Sequence, residues 1–268
     1  MNSISRVVIT GASSGLGATL ATSLAKEGIS LGLLARRGEM LAEVSKACKE
    51  FGVEVIEEVG DVTQVDDCRR IMDRTFAQFN GIDCVIANAG ISMWTKFDEV
   101  EDPSVFARLM EVNYLGVVHS AYSSMQYLKD SRGLFVAISS VQGKVPVPLH
   151  SGYVASKHAV QGFCNSLRIE LHGSGVDVMT VLPHWLRDTN LRTSALGADG
   201  KKIGTTSRKH SNESISLEAA SSEIIKSLKK RPRELVIPWK LKLLSLVFGL
   251  RPQWAEAVIR RVVNKQDQ

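Results

Sequence analysis

Tyr153 and Lys157 stand four residues apart in a stretch, SGYVASKHAVQGF, whose apolar spacing reads as a helix. At that spacing both side chains leave one helix face. A free phenol titrates near about 10, and an ammonium beside it favours the phenolate, which would make Tyr153 a proton donor or acceptor closer to neutral pH. The same pair is also an ordinary surface arrangement, so it gains meaning only from its company. Ser139-Ser140 ends a predicted strand thirteen residues upstream of Tyr153 and presents a hydroxyl. A second group is Thr10-Gly11-Ala12-Ser13-Ser14-Gly15-Leu16-Gly17, between a strand and a helix. Glycines there let the backbone approach an anion, and the helix N-terminus supplies N–H groups and positive potential, the chemistry of a pyrophosphate cradle. The third is Arg36-Arg37 at the end of the next strand. An NAD site usually has an acid there to accept from the ribose 2′-hydroxyl; a guanidinium pairs with a 2′-phosphate instead, so NADP(H) is expected and NAD(H) is the less favoured cofactor.

The elements that must position these groups alternate along the chain. Strands are predicted at Arg6 to Thr10, Ile29 to Ala35, Val53 to Val59, Ile82 to Ala87, Leu134 to Ser139, Val176 to Leu182 and Glu234 to Ile237. Helices are predicted to about Glu27, from Glu39 to Phe51, Val65 to Phe79, Ser104 to Lys129, Gly152 to His172 and Leu217 to Lys230. Continuous apolar strands separated by helices imply α/β architecture, a single Rossmann-type doubly wound parallel sheet flanked by helices, with a C-terminal apolar helical extension. Residues 1–238 are expected to form the dinucleotide-binding and catalytic domain and residues 239–268 a helical tail. Between residues 184 and 215 the alternation stops, and a loop of that length is usually functional.

The four cysteines, Cys48, Cys68, Cys84 and Cys164, are scattered without CxxC pairs or histidine partners, so no metal site is expected, and a reducing compartment is. The N-terminus lacks the pattern of a signal peptide, and a cytosolic location follows as the expectation. The net charge is +5, yet residues 226 to 268 hold eleven Lys/Arg against three Asp/Glu. The excess is a property of the tail, and its cations alternate with aliphatic rather than stacking aromatic side chains, which argues against nucleic acid as a partner.

TGASSGLG at 10 to 17, Asp61-Val62-Thr63, Asn88-Ala89-Gly90, Asn113, Ser140 and Tyr153-Val154-Ala155-Ser156-Lys157 occur in one order over about residues 5 to 190. Together they resemble the short-chain dehydrogenase/reductase family in its compact form. The resemblance implies that Ser140 holds the substrate oxygen while Tyr153 gives or takes its proton, that Lys157 holds the nicotinamide ribose, and that Asn113 kinks its helix and orders a water beside Lys157. It places Asp61 and Val62 against adenine and Asn88, Ala89 and Gly90 near the cofactor ribose, with Leu186 among the contacts at the nicotinamide end. It also implies a homodimer or homotetramer paired through the two long central helices. Two positions depart from the pattern. His184 follows Pro183 where the family has glycine; it could narrow the pocket, meet substrate or point outward. Asp188 stands where a threonine commonly meets the carboxamide, with Thr189 one residue later.

A lipophilic carbonyl or alcohol substrate is expected from the sparsely charged pocket set Met93, Trp94, Val141, Gln142, Val145, Val147, Leu149 and Trp185 with the variable segment 187 to 215. An NADP(H)-binding sensor without turnover is the alternative if His184 or the tail blocks the site. In that tail, Trp239 to Leu250 is nearly all apolar after Lys240 and Lys242, and Pro252 restarts a helix with Trp254, Val258, Ile259 and Val262 on one side and Glu256, Arg260 and Arg261 on the other. The run is too short to span a bilayer, which leaves an anchor on an anionic membrane surface or a lid packed on the domain.

Overall fold

The computed structural model describes residues 4–204, 214–254 and 256–257. Seven parallel strands, β1 (Arg6–Thr10), β2 (Ser30–Ala35), β3 (Val55–Val59), β4 (Cys84–Ala87), β5 (Leu134–Ile138), β6 (Asp177–Pro183) and β7 (Glu234–Ile237), form one sheet in the order β3-β2-β1-β4-β5-β6-β7. The chain winds outward one way from β1 and the other way from β4, so a crevice opens above the carboxyl ends of these two strands, where ligands of such sheets bind.

Both sheet faces are covered, which explains the unbroken apolar strands. Alternate residues serve opposite cores. Val7, Ile9, Leu31, Leu33, Val136 and Val181 pack with α1 (Gly15–Lys26), α2 (Gly38–Lys49) and α7 (Leu217–Lys230). Val8, Leu34, Val85, Phe135 and Val178 pack with α3 (Val65–Phe79), α5 (Gly116–Ser131) and α6 (Ser151–Glu170). Burying a leucine or phenylalanine of this kind contributes about 2 kcal/mol.

The helix expected from Ser104 to Lys129 is three pieces: α4 (Ser104–Met110), a π-helical turn at Glu111–Leu115, and α5. Its interruption is explained by Asn113, whose fully buried side chain bonds sideways to other segments rather than facing along the helix.

Residues 184–204 contain no regular helix or strand, but they are held. Leu196 N–H donates to the Ser92 carbonyl and Trp94 N–H to the Leu196 carbonyl, both at 2.9 Å. Arg187 N–H reaches the Ile215 carbonyl at 2.8 Å, and Arg108 Nη1 donates to the Gly200 carbonyl at 2.9 Å. After β7, α8 (Leu241–Leu250) lays Leu241, Leu244 and Phe248 on a small core of Val141, Val145, Leu182 and Val236. Chain beyond it is helical at 252–254, in line with a restart at Pro252, while Val258, Ile259, Arg260, Arg261 and Val262 lie outside the described residues.

Candidate active site

One cleft of about 630 Å³ runs across the carboxyl ends of the strands. Its walls take in Gly11, Ser13, Ser14, Gly15, Leu16, Arg36, Arg37, Asp61, Val62, Asn88, Ala89, Gly90, Ser140, Tyr153, Lys157 and Leu186. Gly17 and Asn113 lie behind the wall, and each acts on it through a neighbour.

At one end the cradle is set by backbone geometry. Gly11 has φ +67°, and a Cβ there would stand 2.7 Å from the Ala89 Cα. A Cβ at Gly17 would stand 2.4 Å from the Gly11 carbonyl oxygen, so glycine is what allows helix α1 to start directly under the loop. Asn88 clamps this loop by donating from Nδ2 to the Thr10 and Gly11 carbonyls at 3.0 and 3.3 Å. The Thr10 hydroxyl accepts from the Asn88 and Ala89 amides at 3.1 and 3.2 Å. Asn88 thus braces the cradle, a role the sequence pattern alone does not specify. Helix α1 has no side-chain cap and no acid in its first turn, so its N-terminal dipole faces the cleft undiminished.

Both arginines stand at this end. Arg37 Nη2 donates to the Ser13 hydroxyl at 3.1 Å and also to that of Ser14. Arg36 reaches Asp61 at 3.3 Å while remaining largely exposed. Asp61 is also engaged locally: its carboxylate accepts from the Thr63 amide at 3.0 Å, and its own amide donates to Asp67 at 2.7 Å. The acid is therefore fixed beside the Arg36 guanidinium, with Val62 packed beside Gly116 at the start of α5.

At the centre, helix α6 presents Tyr153 and Lys157 on the cleft side, both buried. Lys157 Nζ donates to the Ile138 carbonyl at 2.9 Å and lies 5.7 Å from the Tyr153 ring centroid. Ser140, at the end of β5, accepts from the Gln142 amide at 3.2 Å and donates to the Pro183 carbonyl at 3.4 Å. Burial pushes the Tyr153 phenol up to about 12, opposed by a hydrogen bond with Ser140. Burial likewise brings the Lys157 ammonium down to about 8. This corrects the expectation that lysine draws the phenol toward neutrality: desolvation dominates both groups, and the serine is the group pulling the phenol down.

Asn113 joins three segments. Its Oδ1 accepts from the Ile91 amide at 2.8 Å, and its Nδ2 donates to the Ile91 carbonyl and the Ser156 hydroxyl, both at 2.9 Å. A Cβ added at Gly90 would sit 3.3 Å from Asn113 Oδ1 and 3.6 Å from Lys157 Nζ. The bare backbone at Gly90 leaves both groups facing one small space.

The other end departs further from expectation. Trp94, His150 and Trp185 pack edge to face or tilted, with centroids 4.7 to 5.9 Å apart, and Arg192 lies over both indoles at 4.9 and 5.6 Å. His150 is buried, its Nδ1 2.9 Å from the Pro148 carbonyl and its ring 6.3 Å from that of Tyr153. His184 is half-buried and lines the cleft against Trp185 rather than pointing away. Thr189, not Asp188, lines the cleft and stands against Gly15: Asp188 takes φ +62°, which turns the chain by one position. Met93, Val141, Val145, Val147 and Leu149 are not in the wall. Met93 is fully buried, accepting from the Gly152 amide at 3.1 Å, and Val141 and Val145 lie under α8. In their place are Leu191, Leu196 and four charged residues, Arg108, Glu111, Arg192 and Lys202. His150 stands three residues before Tyr153, which could have drawn attention to it; Arg192 and Lys202 fall in the segment 187 to 215 expected at the pocket, though nothing in the sequence singles them out within it.

The family model for short chain dehydrogenase matches residues 5–198. The chain belongs to the short-chain dehydrogenase family. Among curated relatives, an 11-beta-hydroxysteroid dehydrogenase A of Arachis hypogaea is 34% identical over 259 residues, 95% of this chain and 74% of that protein. A dehydrogenase/reductase SDR family protein 7-like of Dictyostelium discoideum is 30% identical over 264 residues, 96% of this chain and 81% of its own. An alcohol dehydrogenase from Thermococcus sibiricus, solved in complex with 5-hydroxy-NADP, superposes with a TM-score of 0.72 at 25% identity, covering 87% of this chain and 96% of that one. A short-chain dehydrogenase/reductase from Burkholderia phymatum, in complex with NAD, reaches 0.77 over 92% and 95% at 21% identity, a likeness of fold. In this short-chain dehydrogenase the family's motif positions fall on the glycine cradle, the end of β5 and the cleft face of α6.

Proposed function

We propose that this short-chain dehydrogenase is an NADP(H)-dependent oxidoreductase acting on the carbonyl or alcohol carbon of a lipophilic small molecule, with Tyr153 as general acid and base. The observation that carries the proposal is the convergence of Ser140, Tyr153 and Lys157 midway along a cleft that begins at the glycine cradle and ends among Trp94, Trp185 and Leu196.

The residues fit a dinucleotide. Gly11 and Gly17 leave backbone where a Cβ would collide, the uncapped α1 N-terminus suits a pyrophosphate, and Arg36 with Arg37 suits a 2′-phosphate. When bound, a nicotinamide supplies or accepts the hydride. For carbonyl reduction, Tyr153 is held protonated at neutral pH and is a ready acid for the oxygen of the reduced carbon. Ser140 donates a hydrogen bond to that oxygen and holds it beside the phenol. Lys157, fixed at Ile138, restores the proton through the space it shares with Asn113. In the oxidative direction the same groups run in reverse, with Tyr153 taking the alcohol proton.

The hydroxysteroid dehydrogenase names of the relatives and the indole-lined end of the cleft support a lipophilic substrate. Its four charged lining residues allow a polar group at one end. Exposed Tyr122 on α5 and Ile169 on α6 support a homodimer or homotetramer built through those helices. The four cysteines, buried and unbridged, support a reducing, cytoplasmic compartment. Residues 1–238 form the working domain in this reading, and 239–268 an appended tail.

The test is a fluorescence titration with NADPH and then NADH, followed by NADPH consumption against lipophilic ketones, aldehydes and quinones. Tighter binding of NADPH, with its advantage reduced about tenfold or more in R36A/R37A, supports the assignment. Preference for NADH contradicts the cofactor assignment, and binding without turnover on any carbonyl contradicts the catalytic one.

A further inference from the structure

Helix α8 carries apolar residues on two opposite faces, but only one of them is covered. Leu241, Leu244 and Phe248 pack on the domain. Leu243, Leu246 and Leu250 follow one another at three- and four-residue steps on the opposite face and are 58 to 71% exposed. Trp239 just before the helix and Trp254 just after it are 75% and 74% exposed. Single exposed leucines are ordinary; three in line with an indole at each end form a patch of the kind that marks an interaction surface.

The charges around the patch say what covers it. At about 100° per residue, Lys240 and Lys242 fall on either flank of the leucine line, and exposed Arg251 closes its far end. No acidic residue occurs between Glu234 and Glu256. A second copy of the chain, meeting this face through a two-fold axis, would bring the same cations together. Anionic lipid headgroups complement them, and indoles with lysines flanking leucines suit the boundary between headgroups and acyl chains.

We propose that this face docks on an anionic membrane surface, with α8 lying in the plane of the interface. The ten-residue helix is about 15 Å long, half the hydrocarbon thickness, and no helix among the described residues is long and apolar enough to cross a membrane. The covered side of α8 rests on Val141 and Val145, which bracket the cleft-lining Gln142 and follow Ser140 in sequence. Docking therefore holds the segment after the catalytic serine next to the lipid, where a lipophilic substrate would be concentrated; this last clause rests on the function proposed above.

The experiment is sedimentation of the full chain with phosphatidylserine vesicles and with phosphatidylcholine vesicles. The expected result is pelleting with the first and little with the second. L243S/L246S/L250S should weaken the partition on the order of a hundredfold, and K240E/K242E about tenfold, with the melting midpoint and the NADPH titration unchanged. Failure to pellet with either vesicle overturns the proposal, as does wild-type pelleting by the leucine variant. Self-association that the leucine variant abolishes, without vesicle binding, assigns the face to a second copy and equally overturns it. A failure of the reductase reading would leave the vesicle result standing, because the sedimentation needs no turnover.

Discussion

The two ends of the cleft are built differently. At the cradle end, most wall residues sit within three residues of the end of a strand or in the first two turns of a helix, and the sheet fixes their position. Gly11 and Asn88 follow β1 and β4 directly, Ser140 comes two residues after β5, and Tyr153 and Lys157 ride on α6. At the far end most of the wall comes from Ser92, Trp94, His150 and the irregular run 184–204, joined by a few backbone bonds and by ring contacts, with Arg108 and Glu111 added from α4 and the π turn. One half is specified by the sheet and the other by contacts between loops distant in sequence, so one fold can keep its chemistry while its substrate end changes.

Breaking the rigid end should do the most damage. Gly17→Ala puts a methyl against the Gly11 carbonyl and should lower NADPH affinity about a hundredfold, read by fluorescence titration. Unchanged affinity would show that the loop relaxes without disturbing the anion site.

A second prediction sharpens the contrast, because the buried centre should be held together at the expense of stability. Lys157 is lowered from 10.5 to about 8 by burial. Between those values the unfolded chain binds a proton that the folded chain has shed, so stability rises with pH from about 8 to about 10.5, and at pH 7 the buried ammonium destabilises the fold. Lys157→Met should therefore raise stability at pH 7 by about 2 kcal/mol, after allowing for the lost bond to Ile138, while abolishing turnover. The gain should fade toward pH 10.5. A variant less stable than the parent at pH 7 would mean that the hydrogen bond outweighs desolvation.

The loop-built end should respond mildly and selectively. Trp94→Ala or Trp185→Ala removes an indole from under Arg192 and should raise KM about tenfold, leaving NADPH affinity and the melting midpoint close to the parent's. A fall in NADPH affinity of the same size would show that the two ends are coupled.

The same division explains what could be read from the sequence. Strand ends announce themselves: an apolar run followed by glycines or serines gives the position of Gly11, Ser140 and the helix carrying Tyr153, and all of these meet in one cleft. Apolar spacing runs one helix straight through the π turn at Asn113, because the cause of the turn is tertiary, a buried amide bonding to Ile91 and Ser156; the family resemblance points to the kink where the spacing does not. The Thr189-for-Asp188 shift depends on one left-handed residue, and Arg192 over Trp94 depends on pairing across about a hundred residues. Apolar residues near the site in sequence, such as Val141 and Val145, turn out to support α8, because periodicity reports burial but not the neighbour that covers it.

The most direct test of the account is a single-turnover measurement with excess protein, NADPH and a lipophilic ketone, comparing the parent with Tyr153→Phe. The account predicts that the variant binds NADPH as the parent does and loses about a thousandfold or more in the rate of NADPH oxidation. Oxidation by the variant at a rate near the parent's would contradict the assignment of Tyr153 and of the cleft centre with it.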